Sequence, residues 1–532
     1  MESDNLRQDT FCEECGAPLA ADARFCEQCG TPVPVLPAPL HWEKATGHVS
    51  KSGFLYGERC RKLFWNHYNQ RSEFPPVDAG TQFRFDQGHA VGALAHTLFP
   101  GGVLVPHDPR NLAGSVESTR RELARRVPLF EASFAHGPAY ARVDVLNPVG
   151  ADEWDLIEVK SSTRVKEEHW LDVAFQRHVV TQSGLKVRDC HVVHLNRWYQ
   201  LQEPLRPKQL LSQVWVSDAV AAVAQDFDRK VQGLVRLSRE NLEPEVPIGS
   251  YCDKPYPCAL KARCWAFLPP DNVFTLCRAG DKAHELFAAG VVSLLDVERE
   301  QLTPRQRIQQ AAVRTGEAQI RPEKIQAWLE KLEYPLHLLD FETLGFAIPQ
   351  HRLARPYQQV PFQFALGVVK APGAPLERMD FLAEDTGDHR PELLRQLRRG
   401  IGPRGSVVAY NAPFERRCLR EAAEAYPEFA AWVSQIAERT LDLLEPFRRF
   451  HYYHPSQQGS ASLKAIMPLL AGRGYEDLAI RNGMAAVAAF MQSCAAETSE
   501  ADRARLRREL LEYCGTDTEG MLGVCESLAR MA

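Results

Sequence analysis

The chain has 532 residues, of which 45% are hydrophobic and 25% charged, and its formal net charge is −5 at pH 7. This length supports two or three domains with substantial cores. The slight acidity excludes a uniformly basic, duplex-coating protein, so any contact with nucleic acid must use local patches.

The N-terminus, MESDNLRQDT, is polar and does not resemble a secretory signal. No apolar run approaches the roughly 18 residues of a membrane span. We therefore expect a cytoplasmic protein without a membrane partner.

Two CxxC pairs follow, each with a glycine directly after it: Cys12, Cys15, Cys26 and Cys29. Four thiolates at this spacing are typical of a tetrahedral Zn²⁺ site, and a closed four-thiolate site is structural. The sequence therefore predicts a zinc ribbon over residues 1–33. A proline-rich linker over residues 34–47 follows it.

Residues 48–270 are predicted to form an α/β domain that holds a D…ExK pattern. Asp144 lies in one predicted strand, and Glu158 and Lys160 lie in the next, within WDLIEVKSST. Residues i and i+2 of a strand face the same side. Two carboxylates can hold Mg²⁺ or Mn²⁺ for phosphodiester hydrolysis, with the lysine orienting water or neutralising charge. His96, at the end of a predicted helix, and Gln176, on the helix after the second strand, complete this set of candidate catalytic residues.

Three cysteines, Cys252, Cys258 and Cys264, recur at intervals of six residues near the end of this region. Three thiolates leave one ligand missing from a four-cysteine cluster, and Cys60 is our candidate for it. Spacing alone does not separate an iron–sulfur cluster from a second zinc site.

One cysteine before the D…ExK core and three after it resemble the iron–sulfur nuclease domains of the RecB-like superfamily. That superfamily includes the AddAB helicase–nuclease and the CRISPR-adaptation nucleases. The resemblance implies a restriction-endonuclease-like (PD-(D/E)xK) fold and a [4Fe–4S] cluster that pins the ends of the domain together. The superfamily often has a tyrosine four residues after the glutamine, whereas position 180 is valine.

A helical connector is predicted over residues 271–331, and a final α/β domain over residues 332–532. In PLHLLDFETLGF, Asp340 and Glu342 share one face of a predicted strand. Glu415 follows in NAPFE, and Tyr513 and Asp517 share one face of a predicted helix. Such a set can build a two-metal site, with Asp340, Glu342 and Asp517 as ligands and Tyr513 orienting a water.

The order of these motifs resembles the DEDD 3′–5′ exonucleases of the DnaQ-like group, in the variant whose last motif is Tyr-x3-Asp. The resemblance implies a ribonuclease-H-like fold, a mixed sheet flanked by helices. The second motif usually ends in aspartate, whereas this chain has Glu415, and Asp442 is an alternative ligand. The pairing of the two domains resembles an uncharacterised bacterial and archaeal protein family.

The sequence thus predicts a multidomain α/β protein that is a bifunctional, metal-dependent nuclease, with DNA favoured over RNA as substrate. No GxxxxGK[ST] P-loop occurs, so a helicase would be a separate partner; the zinc ribbon could recruit a protein partner. Two alternatives stay open: an RNA-trimming exonuclease, and a nucleic-acid-binding adaptor with one or both sites inactive.

Overall fold

A seven-stranded mixed sheet organises the first half of the protein in a computed structural model that describes residues 48–532. Its strands are β1 Val49–Ser50, β2 Val103–Leu104, β3 Leu129–His136, β4 Ala139–Val149, β5 Glu153–Lys160, β6 Lys186–Leu195 and β7 Leu211–Trp215. The strand order is β2-β3-β4-β5-β6-β7, and β1 pairs in parallel with β4. The β4–β5 pair is antiparallel and the β5–β6 pair is parallel.

Helices cover both faces of this sheet. They are α1 Lys51–Arg59, α2 Arg61–Asn69, α3 Ala79–His96, α4 Leu112–Leu123, α5 Glu167–Gln182, α6 Pro207–Leu210, α7 Ser217–Val223, α8 Phe227–Ser238 and α9 Lys261–Trp265. On one face, Phe175 of α5 stacks on Phe54 of α1, with ring centroids 4.6 Å apart. On the other face, Val91 of α3 packs against Ile157 of β5. Alternation along β5 therefore sends Glu158 towards α5 and Ile157 towards α3.

Three helices and a short strand connect the two halves: α10 Asp281–Ala288, α11 Pro304–Thr315, β8 Gln319–Ile320 and α12 Pro322–Leu329. Thr303 and Gln306 form a capping box at the start of α11, and Gly316 ends it with φ +74°. On α12, Trp328 packs in a core shared with Leu336 of the following sheet. The end of the predicted connector is therefore packed against the last domain.

A five-stranded mixed sheet organises the second half. Its strands are β9 Leu336–Leu344, β10 Val360–Val369, β11 Glu377–Leu382, β12 Val407–Ala409 and β13 Thr440–Asp442, and a further strand, β14 Tyr452–Tyr453, pairs with β8. The strand order is β11-β10-β9-β12-β13. The β9–β10 and β10–β11 pairs are antiparallel, whereas β9–β12 and β12–β13 are parallel.

Helices flank this second sheet: α13 Arg390–Gly400, α14 Pro413–Ala425, α15 Ala430–Glu438, α16 Glu445–Arg448, α17 Leu463–Leu470, α18 Gly483–Cys494 and α19 Glu500–Met531. The long α19 is capped by Ser499, whose side chain accepts from the Asp502 amide. Gln363 of β10 donates to the Leu510 carbonyl at 2.8 Å and fixes α19 on the sheet. The mixed sheets with flanking helices confirm the multidomain α/β prediction; the two nuclease folds remain predictions.

The loop of residues 345–359, between β9 and β10, ties the two halves together. Ala347 is fully buried in the core that includes Val91 of α3, and its amide donates to Gln87 at 2.8 Å. The Leu353 amide donates to the Leu201 carbonyl at 2.9 Å. Residues 49–532 consequently form one compact unit. Within residues 48–532, none of the helices has the length and apolar character needed to cross a membrane.

Two carboxylate sites and a cysteine cluster

The C-terminal sheet and α19 bring three carboxylates together. Asp340 and Glu342 lie on β9, and Asp517 approaches them from α19. One carboxylate oxygen from each of the three residues lies within 4.8 Å of the other two, a spacing that could hold a metal ion. The structure therefore assembles three residues that the sequence analysis named from two segments about 175 residues apart.

Charge repulsion and burial dominate this cluster. Burial, with the nearby charges of Asp517 and Glu342, raises the pKa of Asp340 well above its usual range. Burial and Asp517 raise the pKa of Glu342 to about 8. Burial raises the pKa of Asp517 to about 6, although Tyr475 and Lys464 oppose the shift. Among the described residues, no lysine, arginine or histidine forms an ion pair with these three carboxylates. The site is thus short of positive charge.

Glu415 lies near this cluster but is not one of the three. It is 3% exposed near the start of α14, and its Oε2 atom has no hydrogen-bond partner. Its charge contributes to the raised pKa of Asp340, and burial raises the pKa of Glu415 itself to about 8. A buried carboxylate oxygen without a partner is costly unless a cation or donor joins it.

Asp442, the alternative ligand, makes hydrogen bonds and an ion pair that give it a structural role. Its Oδ1 accepts from the amides of Asn411 and Leu444, at 3.0 and 3.1 Å, and its Oδ2 pairs with Arg448 at 3.0 Å. Asn411 has a φ of +72°. Asp442 therefore supports the loop that leads into α14. Glu415 is the better candidate for a fourth carboxylate beside Asp340, Glu342 and Asp517.

Tyr513 lies at the cluster as predicted, together with two residues given no catalytic role from the sequence. Tyr513 is 4% exposed, and burial, with Glu342 and Asp517, raises its pKa far above the ordinary value. Tyr475 donates to Asp517. The Lys464 ammonium lies 5.2 and 5.8 Å from the ring centroids of Tyr475 and Tyr513. Nothing in the sequence segment around Tyr475 indicates that it reaches this cluster.

The first sheet carries the second group of charged residues. Lys160 donates to Glu158 Oε1 at 2.6 Å, and Gln176 donates to Glu158 Oε2 at 2.7 Å. Asp144 Oδ2 accepts from the Val159 amide at 2.7 Å. The structure thus brings Asp144, Glu158, Lys160 and Gln176 into one group around the end of β5.

Two further residues, neither of them predicted from the sequence, complete this group. Lys51 pairs with Glu158 at 2.9 Å and with Asp172 at 3.3 Å. Asp172 also pairs with Lys160 and accepts from Gln176 at 2.9 Å. Asp172 and Gln176 are i and i+4 on α5, a spacing that could have revealed Asp172. Lys51 is 107 residues from Glu158, and nothing in its own segment indicates the pairing.

Opposite charges set the protonation of this first group. Burial opposes ionisation of Glu158, but the charges of Lys160 and Lys51 and the hydrogen bonds outweigh it and lower its pKa. Burial and Glu158 raise the pKa of Asp144 to about 7, although both lysines oppose the shift. Glu158 is therefore held ionised, while Asp144 titrates near neutrality.

His96 does not join this group. It ends α3, on the sheet face opposite to Glu158, and its ring stacks on Phe130 with centroids 4.0 Å apart. Burial lowers its pKa, against a small opposing contribution from Glu131. Strand alternation separates it from the carboxylates, so the expectation that His96 acts with them needs correction: its described contacts are structural.

The four cysteines Cys60, Cys252, Cys258 and Cys264 line one small cavity and form no disulfide. In the described part of the chain, no three of their sulfurs lie within 4.8 Å of one another. Arg59 donates to the carbonyls of Tyr251 at 2.8 Å and Cys252 at 3.1 Å, which joins the two ends of the domain beside the cavity. The structure thus gathers the predicted cluster ligands from segments about 190 residues apart.

Comparison with known protein families adds two matches. A zinc-ribbon domain model matches residues 11–33, which confirms the predicted ribbon; its cysteines Cys12, Cys15, Cys26 and Cys29 lie outside the residues that the structure describes. A model described as a domain of unknown function (DUF2779) matches residues 337–462. No curated protein matches the chain. The second match contains Asp340, Glu342 and Glu415 and ends before Asp517, so the carboxylate cluster extends beyond the matched region.

Proposed function

We propose that the protein is a two-site, metal-dependent nuclease that hydrolyses DNA at ends or in single-stranded segments, with a 3′–5′ exonuclease in its C-terminal half. The observation that carries the proposal is the meeting of Asp340, Glu342 and Asp517 within 4.8 Å. A buried group of like charges without a cation is costly. The need for divalent metal accounts for that cost better than a role in folding does.

The donors fit a hard divalent cation. Mg²⁺ and Mn²⁺ prefer carboxylate oxygens, and Asp340, Glu342 and Asp517 supply them, with the unpartnered Oε2 of Glu415 nearby. When bound, such a metal would supply Lewis acidity towards the phosphate and lower the pKa of a bound water. The motif order and the mixed sheet flanked by helices support a DEDD-type, ribonuclease-H-like domain.

Tyr513 and Lys464 have the chemistry of positioning groups in this site. The high pKa of Tyr513 keeps its phenol protonated, so it would orient a water by hydrogen bonding and would not act as the base. Lys464 lies beside both tyrosines, where its positive charge favours ionised Glu342 and Asp517. That charge would also favour a phosphate that enters the site.

In the first half, Asp144 and Glu158 would be the metal ligands of a RecB-like site. Lys160 would orient water or neutralise charge on the phosphate. Both oxygens of Glu158 already have protein donors, so metal entry there requires Lys51 or Lys160 to move. This site is therefore proposed to bind metal more weakly than the C-terminal one.

The resemblance to iron–sulfur nuclease domains favours a [4Fe–4S] cluster over zinc for the four cysteines that line the cavity. Anaerobic purification followed by metal and acid-labile sulfide analysis tests this. We expect about four iron atoms and four sulfides, and one zinc from the ribbon. A second zinc without sulfide would refute the cluster.

The nuclease test compares end-labelled single-stranded DNA and RNA of the same sequence, with Mn²⁺ or Mg²⁺ and anaerobic protein. The variants are Glu158→Ala with Lys160→Ala, Asp340→Ala with Glu342→Ala, and all four changes together. We expect each double variant to lose a different set of products, and the C-terminal double variant to lose stepwise 3′ shortening of DNA. Preference for the RNA strand would instead support RNA trimming. Identical products from wild type and the fourfold variant, or no products, would refute the nuclease proposal in favour of an adaptor.

A further inference from the structure

A cleft of about 770 Å³ opens between the two halves of the molecule, at the C-terminal carboxylate site. Glu342 lines it from β9, Phe83 and Arg84 line it from α3, and Ser161 lines it directly after Lys160. The volume falls in the range of roughly 300–1,000 Å³ that is typical of ligand pockets. It is therefore large enough for a short stretch of unpaired strand.

We propose that α3 of the first half forms part of the substrate-binding surface of the C-terminal site, with Arg84 contacting a phosphate and Phe83 stacking on a base of a single nucleic-acid strand. This rests on the proposed exonuclease function and adds to it a binding element from another domain. The C-terminal site is then incomplete without the first half of the chain.

One exposed cation on the cleft wall, Arg84, supports contact with a phosphate. Arg84 is exposed, and it is the one lysine or arginine among the described residues that line the cleft. Its only described hydrogen bond goes to Thr81 of its own helix, at 2.8 Å. The guanidinium is therefore available for a phosphate, the group that its geometry matches best.

Aromatic side chains supply the second feature of the cleft. Phe83, Phe414 and Tyr357 all line it, and Tyr357 is 38% exposed although it is a large ring beside a core. Base stacking on aromatic rings tolerates any sequence and is the usual means of holding single strands. Paired bases of a duplex offer no such free faces, so the cleft favours an unpaired end.

Close contacts hold α3 and the neighbouring loop against the C-terminal half of the molecule. A Cβ at Gly80 would lie 2.8 Å from the Met484 Cβ, so α3 passes very close to α18. The Tyr357 hydroxyl donates to the Ser161 carbonyl at 2.5 Å, and the Tyr357 backbone has a φ of +59°, which is strained for a tyrosine. Strain of this kind is retained where the surrounding structure fixes the geometry. The wall is thus built in advance of binding.

Binding of fluorescein-labelled dT8 and U8 in the presence of Ca²⁺, followed by fluorescence anisotropy, tests the proposal. Arg84→Ala should weaken binding roughly tenfold, since it removes one charged hydrogen bond. It should also reduce the salt dependence of log K by about 0.7. Phe83→Leu keeps an apolar side chain and should weaken binding at least about fivefold by loss of stacking.

Arg229→Ala is the matched control. Arg229 is also exposed on a helix and also donates to a side chain three residues earlier, Asp226, at 2.7 Å. It lies near the start of α8 and is not one of the residues that line the cleft. If Arg84→Ala and Phe83→Leu bind the oligonucleotides as tightly as Arg229→Ala does, the proposal is overturned.

A cross-linking measurement locates the strand independently of affinity. An oligonucleotide with 5-iodouracil at its 3′ end should cross-link wild type at peptides that contain Phe83 or Tyr357; cross-links confined to other peptides would overturn the proposal. The two proposals fail separately. If Arg84→Ala weakens binding but wild type cleaves nothing, the cleft proposal is retained and the exonuclease proposal is refuted. If Asp340→Ala abolishes cleavage but Arg84→Ala binds as tightly as wild type, the exonuclease proposal is retained and the cleft proposal is refuted.

Discussion

The two carboxylate sites of this protein differ most in their neighbouring positive charges. In the first, Lys51 and Lys160 contact Glu158 and Asp172 directly. In the second, the described residues form no ion pair with Asp340, Glu342 or Asp517. In the first site the two lysines outweigh burial and lower the pKa of Glu158. In the second, burial and repulsion between the acids raise the pKa values of Asp340 and Glu342. Glu158 of the first site is therefore held ionised by the protein alone, whereas the C-terminal acids require protons or metal.

Replacing one acid of the second site by a neutral residue should have the largest effect on activity and stability. Asp340→Asn removes a proposed metal ligand and a buried carboxylate, so we expect the proposed exonuclease activity to fall by at least about 10³-fold, equivalent to about 4 kcal/mol. In chelator, the same change should raise the melting temperature because repulsion with Glu342 and Asp517 is relieved. Product analysis and thermal unfolding measure the two effects.

Added Mn²⁺ should raise the melting temperature of wild type and leave that of Asp340→Asn nearly unchanged, since metal bound to the folded state stabilises it by mass action. Glu158→Gln, which leaves the C-terminal acids intact, is the control and should keep most of the shift. An Asp340→Asn protein less stable than wild type in chelator would mean that this acid serves folding.

Removing a lysine from the first site should lower the stability of the folded protein, whereas Asp340→Asn should raise it. Lys51→Met keeps most of the apolar stem but leaves Glu158 and Asp172 with one cation fewer in a buried setting. Breaking such a pair destabilises by about 3 kcal/mol, measured as the change in free energy of unfolding in urea. Lys186→Met, which removes an exposed pair with Asp152, should leave the urea midpoint unchanged. Equal midpoints for the two variants would contradict the contrast drawn between the sites.

The acids of the C-terminal site should also make the free energy of unfolding depend on pH, with a smaller effect than the substitutions above. The folded protein keeps a proton on Glu342 up to about pH 8, whereas the unfolded chain releases it near its ordinary pKa of about 4.3. The folded state then binds more protons between these values, so stability in chelator is full at low pH and declines as pH rises to about 8.

We expect a loss of about 2 kcal/mol from this residue between pH 6 and pH 8, at up to about 1.4 kcal/mol per pH unit for one proton. Glu342→Gln should reduce the slope by about this amount, as urea unfolding at a series of pH values will show; Asp144 and Glu415, whose pKa values are also raised, supply the remainder. Asp152→Asn, at an exposed acid whose pKa is lowered by its hydrogen bond from Lys186, should leave the slope unchanged in that window. An unchanged slope in Glu342→Gln would mean that Glu342 does not keep its proton in this window.

Local patterns in the sequence were enough to predict the acids that meet in the C-terminal cluster. Strand alternation pairs Asp340 with Glu342, and helical periodicity pairs Tyr513 with Asp517; both patterns are short-range. Lys51 and Tyr475 reach their partners only through tertiary folding, and their own segments carry no sign of it. His96 was misplaced because a motif order does not say on which face of the sheet a helix packs. Burial, the largest cause of the raised pKa values in the C-terminal site, is likewise a property of the fold.

The loop of residues 345–359 has a consequence for attempts to dissect the protein. A fragment that starts near residue 332 would expose Ala347 and Ile348 to water, because both pack in a core completed by Val91 and Ala95 of α3. The complementary fragment would lose the same apolar contacts. We therefore expect separately produced halves to aggregate, and the intact chain to unfold in one cooperative step.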